Sequence, residues 1–119
     1  MFSSYEEHRI SPRKALRTRV IFEDELNEEF LYFLSTDISL SGIFIESDIE
    51  LQSHTKLFLK FSLYEGDAPI QVTGEVIRIQ EPPHHRGRRK KNEKRGIGIR
   101  FLGLKSTDLK KIEEYILSK

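Results

Sequence analysis

The chain has 119 residues, no cysteine and a formal net charge of +1 at pH 7, and this length is typical of one domain with a single small core. The absence of cysteine excludes disulfide bonds and thiolate chemistry and fits a reducing compartment. No apolar run approaches the roughly 20 residues of a membrane-spanning helix, and the N-terminus lacks the pattern of a signal peptide, so we expect a soluble, cytoplasmic protein.

Residues 1–12 show no sustained hydrophobic periodicity and end in a Ser-Pro pair. Such a segment predicts a flexible N-terminal arm. The periodic patterns that follow predict one domain over residues 13–119. Its first strand begins at Thr18, where alternation places Val20 and Phe22 on the buried side.

Six short segments combine alternating apolar residues with strand-favouring composition, and turn signals separate them. They are residues 18–23, 30–36, 43–46, 56–64, 70–80 and 96–101. In the fifth segment the apolar residues change face around Gly74, which predicts a bulge or bend of the kind that lets a sheet curl. Many short antiparallel strands favour a closed barrel, because closure removes exposed edges. The sequence therefore predicts an all-β fold, a six-stranded antiparallel β-barrel.

The C-terminal segment, about residues 105–118, predicts a single amphipathic α-helix. Ser106 is a candidate N-cap, and Asp108 suits the positive end of the helix dipole. Apolar residues recur at helical spacings of three and four, namely Leu109, Ile112, Tyr115 and Ile116. This stripe would cover one mouth or flank of the barrel.

Positive charge is concentrated between the last two predicted strands. Residues 82–95 contain seven basic side chains and one acid, a net +6, so the rest of the chain carries −5. The central basic residues are Arg86, Arg88, Arg89, Lys90 and Lys91. Such a run can bind nucleic-acid phosphates without reading sequence, although it lacks the aromatic side chains on which single strands stack. Nucleic-acid binding is therefore an alternative, and the loop could also contact an acidic partner or a membrane, or be a solvated insert.

An arginine element precedes the first strand. Arg13 and Arg17 form the pattern R-x-x-x-R, with Lys14 between them, and Arg9 with Arg13 forms an overlapping copy. We prefer the register of Arg13 and Arg17, because Arg17 directly precedes the alternating residues of the strand. Clustered arginines attract anions, although arginines that enter a strand can equally be ordinary solvated residues.

A second motif follows the second predicted strand, in residues 37–42 with the sequence D-I-S-L-S-G. Asp37, Ser39 and Gly42 bring an acceptor, a hydroxyl and a flexible backbone to one bend between apolar runs. The same residues could form a plain turn, since an aspartate near a bend often binds local backbone groups.

The two motifs, with the closing strand G-I-G-I-R-F at 96–101 and the helix after it, resemble the PilZ domain, a six-stranded β-barrel that binds the bacterial second messenger cyclic di-GMP. The resemblance implies a flexible arginine segment that wraps over ligand held outside the barrel. It implies a ligand site of Arg13, Arg17, Asp37, Ser39 and Gly42. Additional candidates are Arg9, Lys14, Ser41 and Gly98. The protein would then be a receptor whose altered surface is read by an unidentified partner protein in motility, secretion, adhesion or polysaccharide production.

The chemistry of the ligand agrees with these residue types. Cyclic di-GMP is a dianion with two guanines, and arginine can pair bidentately with a phosphate or with the O6/N7 edge of guanine. We expect Asp37 to accept from the guanine N1 and N2 donors, Ser39 to bind a phosphate oxygen, and Gly42 to provide positive φ or close backbone approach. Ser41 stands where many PilZ domains have a second glycine, which predicts weaker binding.

An enzymatic function is not indicated. The four histidines have no credible nucleophile near them in sequence, and Asp37 is the only base that the candidate site offers. His84 and His85 lack a third ligand at suitable spacing, so we predict no metal and no cofactor. A PilZ-like barrel that contacts proteins without binding a ligand is a further alternative.

Overall fold

The computed structural model describes residues 12–23, 26, 28–81 and 94–118. Its strands are β1 Lys14–Ala15, β2 Arg19–Glu23, β3 Glu29–Ile38, β4 Gly42–Ser47, β5 Lys56–Phe61, β6 Ile70–Gln80 and β7 Arg95–Leu102, and its helix α1 is Ser106–Leu117. The predicted arm up to residue 11 lies outside the described residues, as does most of the basic loop. No helix in the described part of the chain has both the length and the apolar character needed to cross a membrane.

The strands form one antiparallel sheet in the order β1-β3-β2-β5-β6-β7-β4, and β3 also pairs with β4. This last pairing closes β2 to β7 into a barrel, so the predicted six-stranded antiparallel barrel is confirmed. The short strand β1 is an addition that alternation did not reveal. It pairs Lys14 with Ile38 and Ala15 with Asp37 at the end of β3.

Alternating side chains of the six strands fill the barrel. Phe22 and Phe33 meet edge to face with ring centroids 5.1 Å apart, and Phe61 stacks on Phe101 at 5.9 Å. Fully burying one large apolar side chain contributes about 1.5–3 kcal/mol, so each of these rings stabilises the barrel. Ile112 of α1 is completely buried and anchors the helix to the barrel, as the predicted stripe requires.

The irregularity predicted near Gly74 lies slightly further along β6. Gly74 pairs regularly with Phe101, and the register of β6 against β7 shifts between Val76 and Arg78 instead. Gly74 lacks a side chain for a packing reason, because an added Cβ would strike the Ile99 side chain and lie 2.9 Å from that of Leu59. A glycine within a strand can mark either a bulge or close packing, and here it marks close packing.

The predicted N-cap of the helix was wrong by one residue. Lys105 is the N-cap, with extended backbone and no capping hydrogen bond from its side chain, and Ser106 is the first helical residue. The amide of Leu109 donates to the Lys105 carbonyl over 2.8 Å, and this bond starts the helix one residue earlier than the sequence pattern suggested.

Candidate functional site

Strand β1 carries the arginine element onto the second motif. The Nε of Arg13 donates to an oxygen of Asp37 over 2.5 Å, and its NH1 donates to the hydroxyl of Ser39 over 3.3 Å. Asp37 lies within β3, opposite Ala15 of β1, and not in the bend that the sequence predicted. Two motifs more than 20 residues apart in sequence therefore meet at one end of β3.

The turn between β3 and β4 is organised by its own hydroxyl groups. Ser39 is buried, and its Oγ accepts from the amide of Ser41 over 3.3 Å and lies 3.1 Å from the Ser41 hydroxyl. The Ser39 amide donates to the carbonyl of Gly42 over 2.9 Å. Local bonds of this kind are typical of serine in turns. In this conformation Ser39 supports the turn, and its predicted phosphate contact stays a prediction.

Gly42 is required by the closeness of two strands. It is the first residue of β4 and pairs with Arg100 of β7, and an added Cβ would strike the carbonyl oxygen of Ile99. Its φ is not positive, whereas those of Gly66 and Gly103 are. The close approach expected at Gly42 is thus made to the protein's own backbone.

A groove of about 360 Å³ opens beside the Arg13–Asp37 pair on the outer face of the barrel. Its polar lining includes Arg13, Asp37, Ser41, Arg78, Gln80 and Arg100, and its apolar lining includes Phe44 and Ile77. Gly42 and Gly98 also line it, so five of the sequence-predicted residues lie here. The groove combines charged walls with an apolar floor, as a site for an anionic ligand with aromatic rings needs.

Pairing across four strands arranges the groove. Asp37 of β3 lies opposite Phe44 of β4, Phe44 opposite Gly98 of β7, and Gly98 opposite Arg78 of β6. Adjacent strands are about 4.8 Å apart, so this row spans about 14 Å. The Phe44 ring occupies the space above Gly98, because an added Cβ there would lie 3.3 Å from the ring. The row therefore has an acid at one end, an aromatic ring near its middle and a cation at the other end.

The other predicted cations lie away from the groove. Arg17 has a side chain that is 65% exposed and ion-paired to Glu46 at 3.3 Å. The ammonium of Lys14 donates to the carbonyl oxygens of Tyr115 (3.0 Å) and Ser118 (2.8 Å) at the end of α1. Arg9 lies outside the described residues. The structure thus brings only Arg13 of the preferred arginine pair to the groove.

The segment that holds Arg13 is also fastened to the helix. The ammonium of Lys14 lies 4.6 Å from the centroid of the Tyr115 ring, and the Tyr115 hydroxyl donates to the carbonyl of Ala15 over 2.6 Å. Burial, followed by the nearby Tyr64, raises the pKa of Tyr115, so the hydroxyl remains a donor well above neutral pH. Strand β1 therefore connects the motif turn on one side with the end of α1 on the other.

Sequence reasoning missed Phe44, Ile77, Arg78 and Arg100. Arg100 is held by a hydrogen bond to Glu75, whose other carboxylate oxygen lies 3.1 Å from His54. The bond from Arg100, and then that from His54, lowers the pKa of Glu75 below its ordinary value. Alternation in the closing strand could have placed Arg100 on the outer face, but only strand pairing brings it to the groove.

Comparison with known families tests the resemblance. The family model described as "PilZ domain" matches residues 7–118. The chain belongs to the PilZ domain family. The resemblance drawn from the two motifs and the closing strand is therefore confirmed. Within the described ranges, no group of three or more His, Cys, Asp or Glu residues could hold a metal ion.

Solved structures include similar folds. The Bacillus subtilis inhibitor of motility MotI/DgrA is 26% identical with a TM-score of 0.72, over 92% of this chain and 49% of that chain. Escherichia coli YcgR in complex with c-di-GMP is 18% identical with a TM-score of 0.68, over 91% of this chain and 44% of that one. The PilZ domain of YcgR with c-di-GMP is 19% identical with a TM-score of 0.67, over 91% and 88% of the two chains.

The chain therefore spans about half the length of MotI/DgrA and somewhat less than half of YcgR. At the identity of YcgR the similarity is one of fold. A comparison with curated proteins finds no match.

Proposed function

We propose that this PilZ domain is a cytoplasmic, non-enzymatic receptor for cyclic di-GMP that signals to a partner protein by changing conformation. The observation that carries the proposal is the contact between Arg13 and Asp37 at the edge of a groove that Phe44 lines. Membership of the PilZ family supports it, as do the similar folds of YcgR structures that contain c-di-GMP.

Binding begins with an exchange of partners at the motif. The side chains of Arg13 and Asp37 are 44% and 33% exposed, and an ion pair this open to solvent contributes about 0.2–1 kcal/mol. A guanine can therefore replace Arg13 as the partner of Asp37 by donating its N1 and N2 hydrogens to the carboxylate. Arg13 can then bind a phosphate or the O6/N7 edge of a guanine. Arg17 exchanges its exposed contact with Glu46 for the ligand. Ser39 and Ser41 provide hydroxyls at the same turn.

Strand β1 can transmit the change at Arg13 to the end of α1. Arg13 directly precedes β1, and Lys14 and Ala15, which form it, bind the end of α1. A ligand that turns Arg13 away from Asp37 therefore alters the contacts between β1 and the helix. A partner that reads the helix end or β1 would detect the bound state, because the two states differ there. The similarity to MotI/DgrA, an inhibitor of motility, supports a partner in motility control.

Calorimetry with cyclic di-GMP tests the receptor function on wild type, Arg13→Ala, Arg17→Ala and Asp37→Ala. Arg19→Ala is the matched control, since Arg19 is also an exposed arginine but stacks on Tyr32, 4.8 Å from the ring centroid, away from the groove. We expect the wild type and the control to bind alike and the three site variants to lose about tenfold or more, as for lost charge-assisted bonds. Absence of binding by wild type at about 100 μM, or equal affinity in all variants, would refute the proposal.

A further inference from the structure

The groove has a second wall that neither sequence motif contributes. Ile77 and Arg78 of β6 line it opposite Arg13 and Asp37. In a regular strand two consecutive side chains point to opposite faces of the sheet. Here both are exposed, because the register shift between Val76 and Arg78 leaves Ile77 without a pairing partner on β7. A β-bulge re-aims side chains in this way, and bulges are frequent beside binding sites.

A register shift of the same kind occurs at the Asp37 end of the row that joins Asp37 to Arg78. The register of β3 against β4 shifts between Ser35 and Asp37, directly before the motif aspartate. Asp37 and Arg78 thus each follow a register shift, and both lie on the row that runs through Phe44 and Gly98. One end of the row belongs to the motif. The other end has an equivalent construction and carries the opposite charge.

The charges on the two walls are compensated differently. Arg13 is paired with Asp37, and Arg100 is paired with Glu75, whose side chain is 13% exposed. Within residues 12–23, 26, 28–81 and 94–118, Arg78 forms no ion pair, although it lines the same groove. Among the described residues, the positive charge of Arg78 is therefore available to an anion.

The stem of Arg78 is also held in place. A Cβ added at Gly98 would lie 3.1 Å from the Cβ of Arg78 and 3.3 Å from the Phe44 ring, so both side chains pack into the space that this glycine leaves. The cation is thus carried on a stem beside the apolar lining. Ile77, whose side chain is 51% exposed, extends that apolar surface. A purine over this surface would bring its phosphodiester close to Arg78.

We propose that Arg78 is a phosphate-binding residue of the second wall and that Ile77 and Phe44 contact a face of the adjoining purine. The inference rests on the proposed function, with a cyclic dinucleotide as the ligand. Such a ligand has two bases and two phosphodiesters, whereas the Arg13–Asp37 wall serves one base and its neighbouring phosphate. Arg78, which forms no ion pair with the described residues, supplies from the opposite wall the charge-assisted bond that the second half of the ligand needs.

Two substitutions separate charge from shape. Arg78→Met keeps the stem and removes the charge, so we expect the affinity for cyclic di-GMP to fall about tenfold or more in calorimetry. Arg78→Lys should bind more tightly than Arg78→Met, because an ammonium still binds a phosphate as a point charge. Arg19→Met, an exposed arginine outside the groove, is the control and should bind as wild type does. Thermal unfolding of each variant checks the fold.

The outcomes distinguish this inference from the function on which it rests. Wild-type affinity in Arg78→Met, with binding by wild type intact, overturns the role of Arg78 and leaves the receptor function standing. Affinity in Arg78→Lys no higher than in Arg78→Met overturns the phosphate assignment, since an ammonium can still bind a phosphate as a point charge. No binding by wild type removes both proposals. An equal loss in Arg19→Met overturns the inference, because the effect would then be one of overall charge.

Discussion

Replacing Gly42 with alanine is expected to weaken the barrel, because backbone of β7 already fills the space that the side chain needs. A Cβ at Gly42 would strike the carbonyl oxygen of Ile99 and lie 3.1 Å from its carbonyl carbon and 3.3 Å from the Cα of Arg100. Backbone atoms of a paired strand cannot move aside by a change of rotamer. Strands β4 and β7 must therefore separate locally, at the usual overpacking cost of about 1–3 kcal/mol.

Urea unfolding followed by circular dichroism measures this cost. With a urea m-value of about 1–3 kcal/mol/M, the midpoint should fall by about 1 M. The control is Gly66→Ala, because Gly66 has a φ of 87° but no atom within 4 Å of an added Cβ. Gly66→Ala therefore measures the cost of left-handed backbone strain alone, which is about 1–2 kcal/mol in unfolding free energy. A wild-type midpoint for Gly42→Ala would refute the steric reasoning, and loss of cyclic di-GMP binding in so stable a variant would assign Gly42 to the ligand instead.

Three further substitutions test other parts of the structure. Lys14→Met removes a donor to the Tyr115 carbonyl, so amide exchange in the last turn of α1 should become faster, and unchanged exchange would contradict the contact. The bond from Arg100 lowers the pKa of Glu75 below its ordinary value, so the ionised carboxylate contributes stability at neutral pH that is lost as the pH falls through the lowered pKa. Glu75→Gln should therefore lose less stability than wild type on acidification, and parallel pH profiles would contradict this. Ile112→Ala should cost about 2–5 kcal/mol in urea unfolding, and a cost below about 1 kcal/mol would show that α1 is not anchored there.

The barrel could be predicted because strand alternation reports burial directly. Val20 and Phe22 were placed on the buried side from their spacing, and both are buried. Strand β1 could not be predicted in this way, since two residues carry no period. It forms because Ala15 lies opposite Asp37 and the next amide, that of Leu16, donates to the Thr36 carbonyl over 3.1 Å.

About half of the candidate site could be predicted from the sequence. The motifs pointed to Arg13, Asp37 and the turn after β3, and these residues meet in the structure. Arg78 carries no motif, and its place in the groove depends on where the β6 register shifts. The sequence suggested Gly74 for that shift, but contacts with other strands decide whether a glycine bends a strand or admits a neighbour.

The sequence by itself determined the strand content, the buried faces, the terminal helix and the family, because these depend on periodicity and short motifs that are local in the chain. Only the tertiary structure decided which outer-face residues share a surface. The row from Asp37 through Phe44 and Gly98 to Arg78 exists because β3, β4, β7 and β6 are neighbours in the closed barrel. Pairing register is set by the packing of the whole core, and a slip of one residue would turn each of these side chains to the other face.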